Sequence, residues 1–405
     1  MRIALLTYRG SPFCGGQGVY VYYLSRELTR LGHKVTVVSG PPYPQVPQGV
    51  TLVKLPSLQM YDEVPMKLGK IRQAKGLIDL LEYGMALMGL YPEPLAFSLR
   101  GYDFISSRSF DVVHDNQSLG FGLLAMQQLG GTVVATIHHP IHLDRAFAHK
   151  MASSPWERAG ISRWYWFLWM QGLVARRLPR IISVSRKSAQ DVVRFFKVPP
   201  SRLRVIYNGV DGETFQAVPG VERCPYRIIL VNSADMPIKG LPYFYKALQI
   251  VASRRPVEVV VVGERRPSHV AYLSRYHLDG QVRFLGRLTT KELVREYSAA
   301  ALAVTPSLYE GFGLPVVEAM ACGLPVVAFA AGALPEVLGE DGEAGRLVPC
   351  YDQEALAVAM LELLENPAKR ACMGARGRER ALRLFSWQRA AEETVRVYEE
   401  ALAAR

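Results

Sequence analysis

Ile3-Ala4-Leu5-Leu6-Thr7, then Cys14-Gly15-Gly16-Gln17-Gly18, then Val35-Thr36-Val37-Val38 decide how this chain is built. Between the glycine loop and the second apolar run, Val19, Tyr22, Tyr23, Arg26, Leu28 and Leu31 keep helical spacing, and Gly32-His33 follows as a stop. The order is strand, helix, strand. A run that is apolar at every position, rather than at every second one, is buried on both faces, as in a parallel sheet. Such runs return at Val112-Val113-His114, at Val133 to Ile137 and at Ile181 to Val184. They restart at Arg227 to Val231 and continue at Val257 to Val262, Val282 to Leu285, Ala301 to Thr305 and Pro325 to Phe329. Two successive α/β halves predict two doubly wound domains, with an active site in the cleft between them. Lys197-Val198-Pro199-Pro200 and Val218-Pro219-Gly220 bracket a turn-rich stretch that puts the boundary near Ile206, giving domains 1–206 and 207–386.

The chain has 405 residues, enough for two or three domains of roughly 150 residues, each with its own core. At 49% hydrophobic and 21% charged residues it is expected to be an ordinary soluble globular protein. No stretch reaches the roughly 18 apolar residues of a membrane span, and the first strand is too short for a signal peptide. The five cysteines are scattered and never spaced C-x-x-C, which argues against a disulfide framework or zinc site and fits a reducing cytoplasm. Net charge is +12, and between Met151 and Val210 eleven basic residues face two acidic ones. An anionic partner is expected there.

Two segments break the pattern. Tyr61 to Arg100 has apolar positions at mixed spacing with four glycines and three prolines, suggesting helices inserted over the cleft. Trp164 to Met170 is apolar all round, which fits core or interdomain packing first and aromatic contact with a membrane surface second.

The strongest chemical signal is Ser307-Leu308-Tyr309-Glu310-Gly311-Phe312-Gly313-Leu314-Pro315-Val316-Val317-Glu318, which follows a buried strand and opens a helix. Pro315 suits a first helical turn and Gly323 a stop. Gly311 and Gly313 leave backbone N–H groups uncovered where the helix dipole is positive, which makes a cradle for a diphosphate. Two carboxylates bracketing such a cradle make sense as acceptors from the hydroxyls of a sugar and of a ribose. That describes a nucleotide sugar.

This chain resembles the retaining glycosyltransferases of family 4, which have two Rossmann-like domains in the glycosyltransferase-B architecture. The resemblance rests on Glu310 and Glu318 with seven residues between them, around Gly-Phe-Gly-Leu-Pro, on Gly15-Gly16, Thr136-Ile137-His138-His139-Pro140, Val205 to Asp211, Lys239-Gly240 and Phe385-Ser386-Trp387. It implies that Glu310 contacts the donor sugar, Glu318 the ribose, and the backbone of Gly311, Phe312, Gly313 and Leu314 the diphosphate. It implies Lys239 as the cation on the leaving group, His138 at the sugar or reaction centre, and Gly15 and Gly16 as points of close approach. It further implies an acceptor-side domain 1–206, a nucleotide-sugar domain 207–386, and a last helix, 387–405, crossing back onto the first domain. One departure stands out: the family's Gly-Arg before the lysine is replaced by Ser233 and Ala234, for which Arg265 or Arg266 could substitute.

The reaction expected is metal-independent transfer of a hexose from a UDP- or GDP-sugar to an acceptor hydroxyl, without a cofactor. The sequence has neither D-x-D nor H-E-x-x-H. The acceptor expected is a lipid or glycolipid at an anionic cytoplasmic membrane face, or else a soluble molecule. A non-catalytic sugar-nucleotide binder, or phosphorylase or epimerase chemistry, is the alternative. The basic segment carries no nucleic-acid-binding motif.

Overall fold

The structure is a computed structural model, and it describes residues 1–11, 16–61, 68–232 and 236–404. Gly15, Ser233 and Ala234 lie outside the described residues. The chain divides into two compact units, Met1–Ile206 with Gln388–Arg405, and Tyr207–Trp387.

In the first unit the strands are β1 (Arg2–Thr7), β2 (Lys34–Ser39), β3 (Thr51–Lys54), β4 (Val112–Asn116), β5 (Thr132–Ile137), β6 (Arg180–Ser183) and β7 (Leu203–Val205). They lie in the order β3-β2-β1-β4-β5-β6-β7 with parallel pairing. Leu5 of β1 stands opposite both Val37 and His114, so β1 is an inner strand, and its Ile3 to Leu6 are apolar and buried. The second unit has β8 (Arg227–Val231), β9 (Glu258–Val262), β10 (Val282–Phe284), β11 (Leu302–Thr305), β12 (Val326–Phe329) and β13 (Gly345–Val348). Their order is β10-β9-β8-β11-β12-β13, again parallel. Both sheets are doubly wound. The strand order reverses beside β1 and β4 in one sheet and beside β8 and β11 in the other, which is where such sheets open a crevice for ligands.

Three strands escape a search for continuous apolar runs: β3, β7 and β13. Each lies at a sheet edge and presents half-buried or exposed residues such as Thr51, Lys54, Arg204 and Arg346. An edge strand packs on fewer sides, so its sequence need not be apolar throughout.

The helix Gly16–Arg30 ends where Gly32 takes φ 84° and the His33 N–H donates to Leu28 O. This is a glycine C-terminal cap. The aromatic run does not form one helix. Trp164 closes the helix Pro155–Trp164, and Phe167 opens the next, Phe167–Ala175. Phe167, Leu168, Met170, Val174 and Ala175 are buried in the first unit's core, and Trp169 is exposed beside Phe121. From Phe167 onward this stretch packs mainly into the core, the first of the two readings given for it.

The last helix, Trp387–Ala403, lies in the first unit from Gln388 onward. Tyr398 is fully buried with its hydroxyl 2.6 Å from His114 Nδ1, while Arg180 and Arg204 donate to the Glu400 carboxylate at 2.9 and 2.7 Å.

Candidate active site

In the second unit the signature loop runs from the end of β11 into the helix Leu314–Ala321. Gly313 is the N-cap at φ 95°, and a Cβ there would stand 2.9 Å from Leu334. A side chain is excluded twice, by the positive φ and by the close neighbour. Val316 N and Val317 N donate to Gly313 O at 3.0 and 3.2 Å and Pro315 has no N–H, so what the helix start offers is chiefly the positive end of its dipole.

Glu310 is held at this helix start. Its Oε1 accepts from Lys239 Nζ at 2.7 Å and from Ser307 Oγ at 2.7 Å, and its backbone O accepts from Ala333 N at 2.9 Å. Lys239 comes from a different loop, the 3-10 turn Pro237–Lys239 after β8. Gly240 ends that turn at φ 66°, and a Cβ on it would lie 1.9 Å from Pro306 O. Leu308 N donates to Ile238 O at 2.7 Å, which ties the two loops together. Two residues 71 positions apart thus meet at the point where β8 and β11 diverge.

Glu318 sits one turn further along the helix. Tyr297 Oη donates to its Oε2 at 3.4 Å, and burial pushes its carboxyl up from 4.5 to about 7. Phe312 is buried, with its ring edge-on to Phe385 at 5.4 Å. Gly311 and Leu314 flank it in the same loop. The loop carrying Arg265 and Arg266 follows β9 and abuts the β8 loop, because a Cβ on Gly263 would stand 2.1 Å from Asn232 O. Arg265 is exposed and Arg266 half-buried.

His138 and Gly16 belong to the first unit. Gly16 opens the helix Gly16–Arg30. At the end of β5, His138 Nε2 lies 2.6 Å from Asn116 Oδ1, and its backbone N–H donates to Gln117 Oε1 at 2.6 Å. Asn116 Nδ2 donates to Thr7 Oγ1, which fixes Oδ1 as the acceptor. The histidine therefore donates from Nε2 and keeps the Nδ1 lone pair. Burial, with His139 and His114 nearby, lowers its pKa to about 3, so it is neutral at physiological pH. Tyr20 packs edge-on against it at 4.8 Å.

Ser307, Tyr297 and Asn116 escape the sequence analysis as site residues. Ser307 and Asn116 carry a signal, since each is a polar residue just beyond or at the end of a buried strand. Tyr297 carries none, because its helix reads as ordinary core. His139 Nε2 pairs with Asp144 Oδ2 at 2.9 Å. Among the described residues no group of three or more His, Cys, Asp or Glu could hold a metal ion, and no helix is long and apolar enough to cross a membrane.

Two doubly wound parallel sheets, one with a lysine and a glutamate paired at a helix start, define the class. Residues 14–214 match the family described as Glycosyltransferase Family 4, and residues 225–366 match Glycosyl transferases group 1. The MMP alpha-(1->4)-mannosyltransferase of Mycolicibacterium hassiacum is 44% identical over 409 residues, covering 100% of this chain and 99% of that protein. The phosphatidyl-myo-inositol mannosyltransferase of Mycolicibacterium smegmatis is 28% identical over 410 residues, covering 98% of this chain and 94% of that protein. Among solved structures, sucrose-phosphate synthase of Thermosynechococcus elongatus matches with a TM-score of 0.77 at 24% identity over 100% of both chains. The chain belongs to the family 4 glycosyltransferases and carries the two α/β domains of the glycosyltransferase-B architecture.

Proposed function

We propose that this glycosyltransferase moves a hexose, mannose in the first instance, from a UDP- or GDP-sugar to an acceptor hydroxyl, with retention of configuration and without a metal ion. The observation that carries the reading is the Lys239–Glu310 pair, 2.7 Å apart at the crevice of the second sheet and beside a helix N-terminus. The 44% identical relative, named as an alpha-(1->4)-mannosyltransferase, supports mannose as the sugar. The relative named for phosphatidyl-myo-inositol supports a lipid-bearing acceptor as the alternative to a soluble one.

In this mechanism the acceptor oxygen attacks the anomeric carbon from the face that the diphosphate leaves. The bond from that carbon to the phosphate oxygen breaks, the electron pair stays on the oxygen, and that oxygen takes the acceptor's proton. Lys239 exchanges Glu310 for the departing diphosphate and neutralises its growing charge. Backbone N–H groups from Gly311 to Leu314 bind the same phosphates, with Arg265 or Arg266 in support. Glu310 then accepts from sugar hydroxyls and Glu318 from the ribose. Gly15 and Gly16 allow close approach to the donor, and neutral His138 accepts a hydrogen bond from a hydroxyl at Nδ1, which adds no charge.

The test is transfer onto a mannose oligosaccharide from GDP-mannose, UDP-glucose and their relatives in excess EDTA, with the product's anomeric configuration read by NMR. Retained configuration and a loss of about a hundredfold in kcat for Lys239→Ala are expected, on the scale of removing one group that stabilises a developing charge. An inverted product, or transfer that stops in EDTA, overturns the mechanism. Tight nucleotide-sugar binding without turnover would assign the chain a binding role instead.

A further inference from the structure

The helix Leu77–Leu87 is inside out. Its acids face the protein and its leucines face solvent. Glu82 has no exposed side-chain surface: Arg100 Nη2 donates to its Oε2 at 2.5 Å, and Ser57 Oγ and Leu58 N donate to its Oε1 at 2.7 and 3.2 Å. The same Arg100 nitrogen reaches Asp79 Oδ1 at 2.5 Å. On the opposite side Leu77, Leu80, Leu81, Leu87 and Met88 are all exposed, Leu77 to 85%. Their spacing is i, i+3, i+4, i+10 and i+11, with Gly84 filling i+7, so they form one stripe along a helix about 16 Å long. A continuous apolar stripe of this kind marks an interaction surface, unlike scattered apolar side chains.

What surrounds the stripe says what covers it. The preceding turn, Leu68–Gln73, exposes Ile71 and Arg72, and Lys75 follows. From 69 to 91 the only exposed charges among the described residues are these two cations, because both acids of the helix are turned onto Arg100. At the far end Gly89 abuts a third cation, since a Cβ there would stand 3.0 Å from Arg163 Nε. Arg163 is on the helix Pro155–Trp164, seven residues and nearly two full turns after Trp156, so the two share a face. Trp156 is 86% exposed, and Met151, just before that helix, is also exposed. The leucine stripe is thus rimmed by cations, and the helix that supplies Arg163 also carries an exposed tryptophan.

We infer that this patch docks the enzyme on an anionic lipid bilayer, with the leucine stripe entering the acyl boundary and Arg72, Lys75 and Arg163 meeting lipid phosphates. Between 69 and 91 no described acid is exposed that could complement the rim on a second copy of the chain, and a second copy brings a further +12. The inference concerns attachment only and stands apart from the donor and the transfer step.

The test uses the full chain without donor or acceptor, floated with vesicles of phosphatidylcholine alone and of phosphatidylcholine with about one-third phosphatidylglycerol, at about 0.1 M salt. Flotation with the anionic vesicles is expected, reduced at least about tenfold by Leu80→Gln with Leu81→Gln, with the anionic preference weakened by Arg72→Ala with Lys75→Ala. All these side chains are exposed, so melting temperatures should match wild type. Should the double leucine variant fail to fold, Leu77→Gln, at the most exposed position of the stripe, makes the same comparison. The inference is overturned if wild type floats with neither vesicle, if stripe variants float as well as wild type, or if light scattering shows a dimer that the leucine variants dissociate. Transfer activity plays no part in these readings, so each proposal can fail alone.

Discussion

At Glu318, burial bears directly on the ribose contact proposed for it. Burial lifts its carboxyl from 4.5 to about 7, so between those values the folded protein holds a proton that the unfolded chain has released. Its contribution to stability is full below about pH 4.5 and is lost as pH rises through 7. Glu318→Gln should remove that slope and raise stability at about pH 8 by on the order of 1–3 kcal/mol, measured by urea unfolding across pH. A ribose hydroxyl bonds best to the ionised carboxylate, so nucleotide binding must displace the proton. Calorimetry should find nucleotide affinity falling by up to about tenfold per pH unit below 7, and no such dependence in the glutamine variant. A wild-type affinity that is flat across this range would remove Glu318 from the ribose site. The sequence named Glu310, Glu318 and Lys239 separately, since each stands in a recognisable pattern. That Lys239 and Ser307 converge on one oxygen of Glu310 depends on two loops meeting, which no local pattern encodes.

At the scale of elements, the two loops are set by glycines with no room for a Cβ. Gly240 combines φ 66° with an approach of 1.9 Å between its missing Cβ and Pro306 O. Gly240→Ala should cost about 2 kcal/mol or more in denaturant unfolding and should weaken nucleotide binding by shifting Lys239. A variant as stable as wild type would show that the loop relaxes at no cost. Central strands were legible because burial on both faces demands apolar side chains at every position. The edge strands β3, β7 and β13 were not, because one open side tolerates Thr51, Arg204 or Arg346. The Leu77–Leu87 helix lies in the stretch whose apolar spacing is mixed, and its leucine stripe is exposed because its acids turn inward onto the buried Arg100.

At the scale of the whole molecule, the chain returns to its first unit through the last helix, and a buried hydrogen bond fastens it there. Tyr398 Oη lies 2.6 Å from His114 Nδ1, and Thr136 Oγ1 lies 2.7 Å from the same ring's Nε2. Burial lowers the His114 pKa to about 3. Because the folded value is depressed, the stability this histidine contributes is present above about pH 6.5 and is lost as pH falls toward 3. Tyr398→Phe leaves Nδ1 buried without its partner and should cost about 1–3 kcal/mol at neutral pH. Thermal unfolding measures it, and an unchanged midpoint would mean that the ring finds another partner. The sequence by itself determined the α/β class and the parallel sheets of the two halves, and it named the glycines, lysine and glutamates of the candidate site, because these follow from local periodicity and from backbone conformations few residues can adopt. Only the tertiary structure decided which distant side chains pair, which histidine nitrogen keeps its lone pair, and which face of an amphipathic helix meets water. Those outcomes depend on the desolvation of charges such as Glu82, Glu318 and His138, and desolvation is a property of the packed molecule rather than of any one segment.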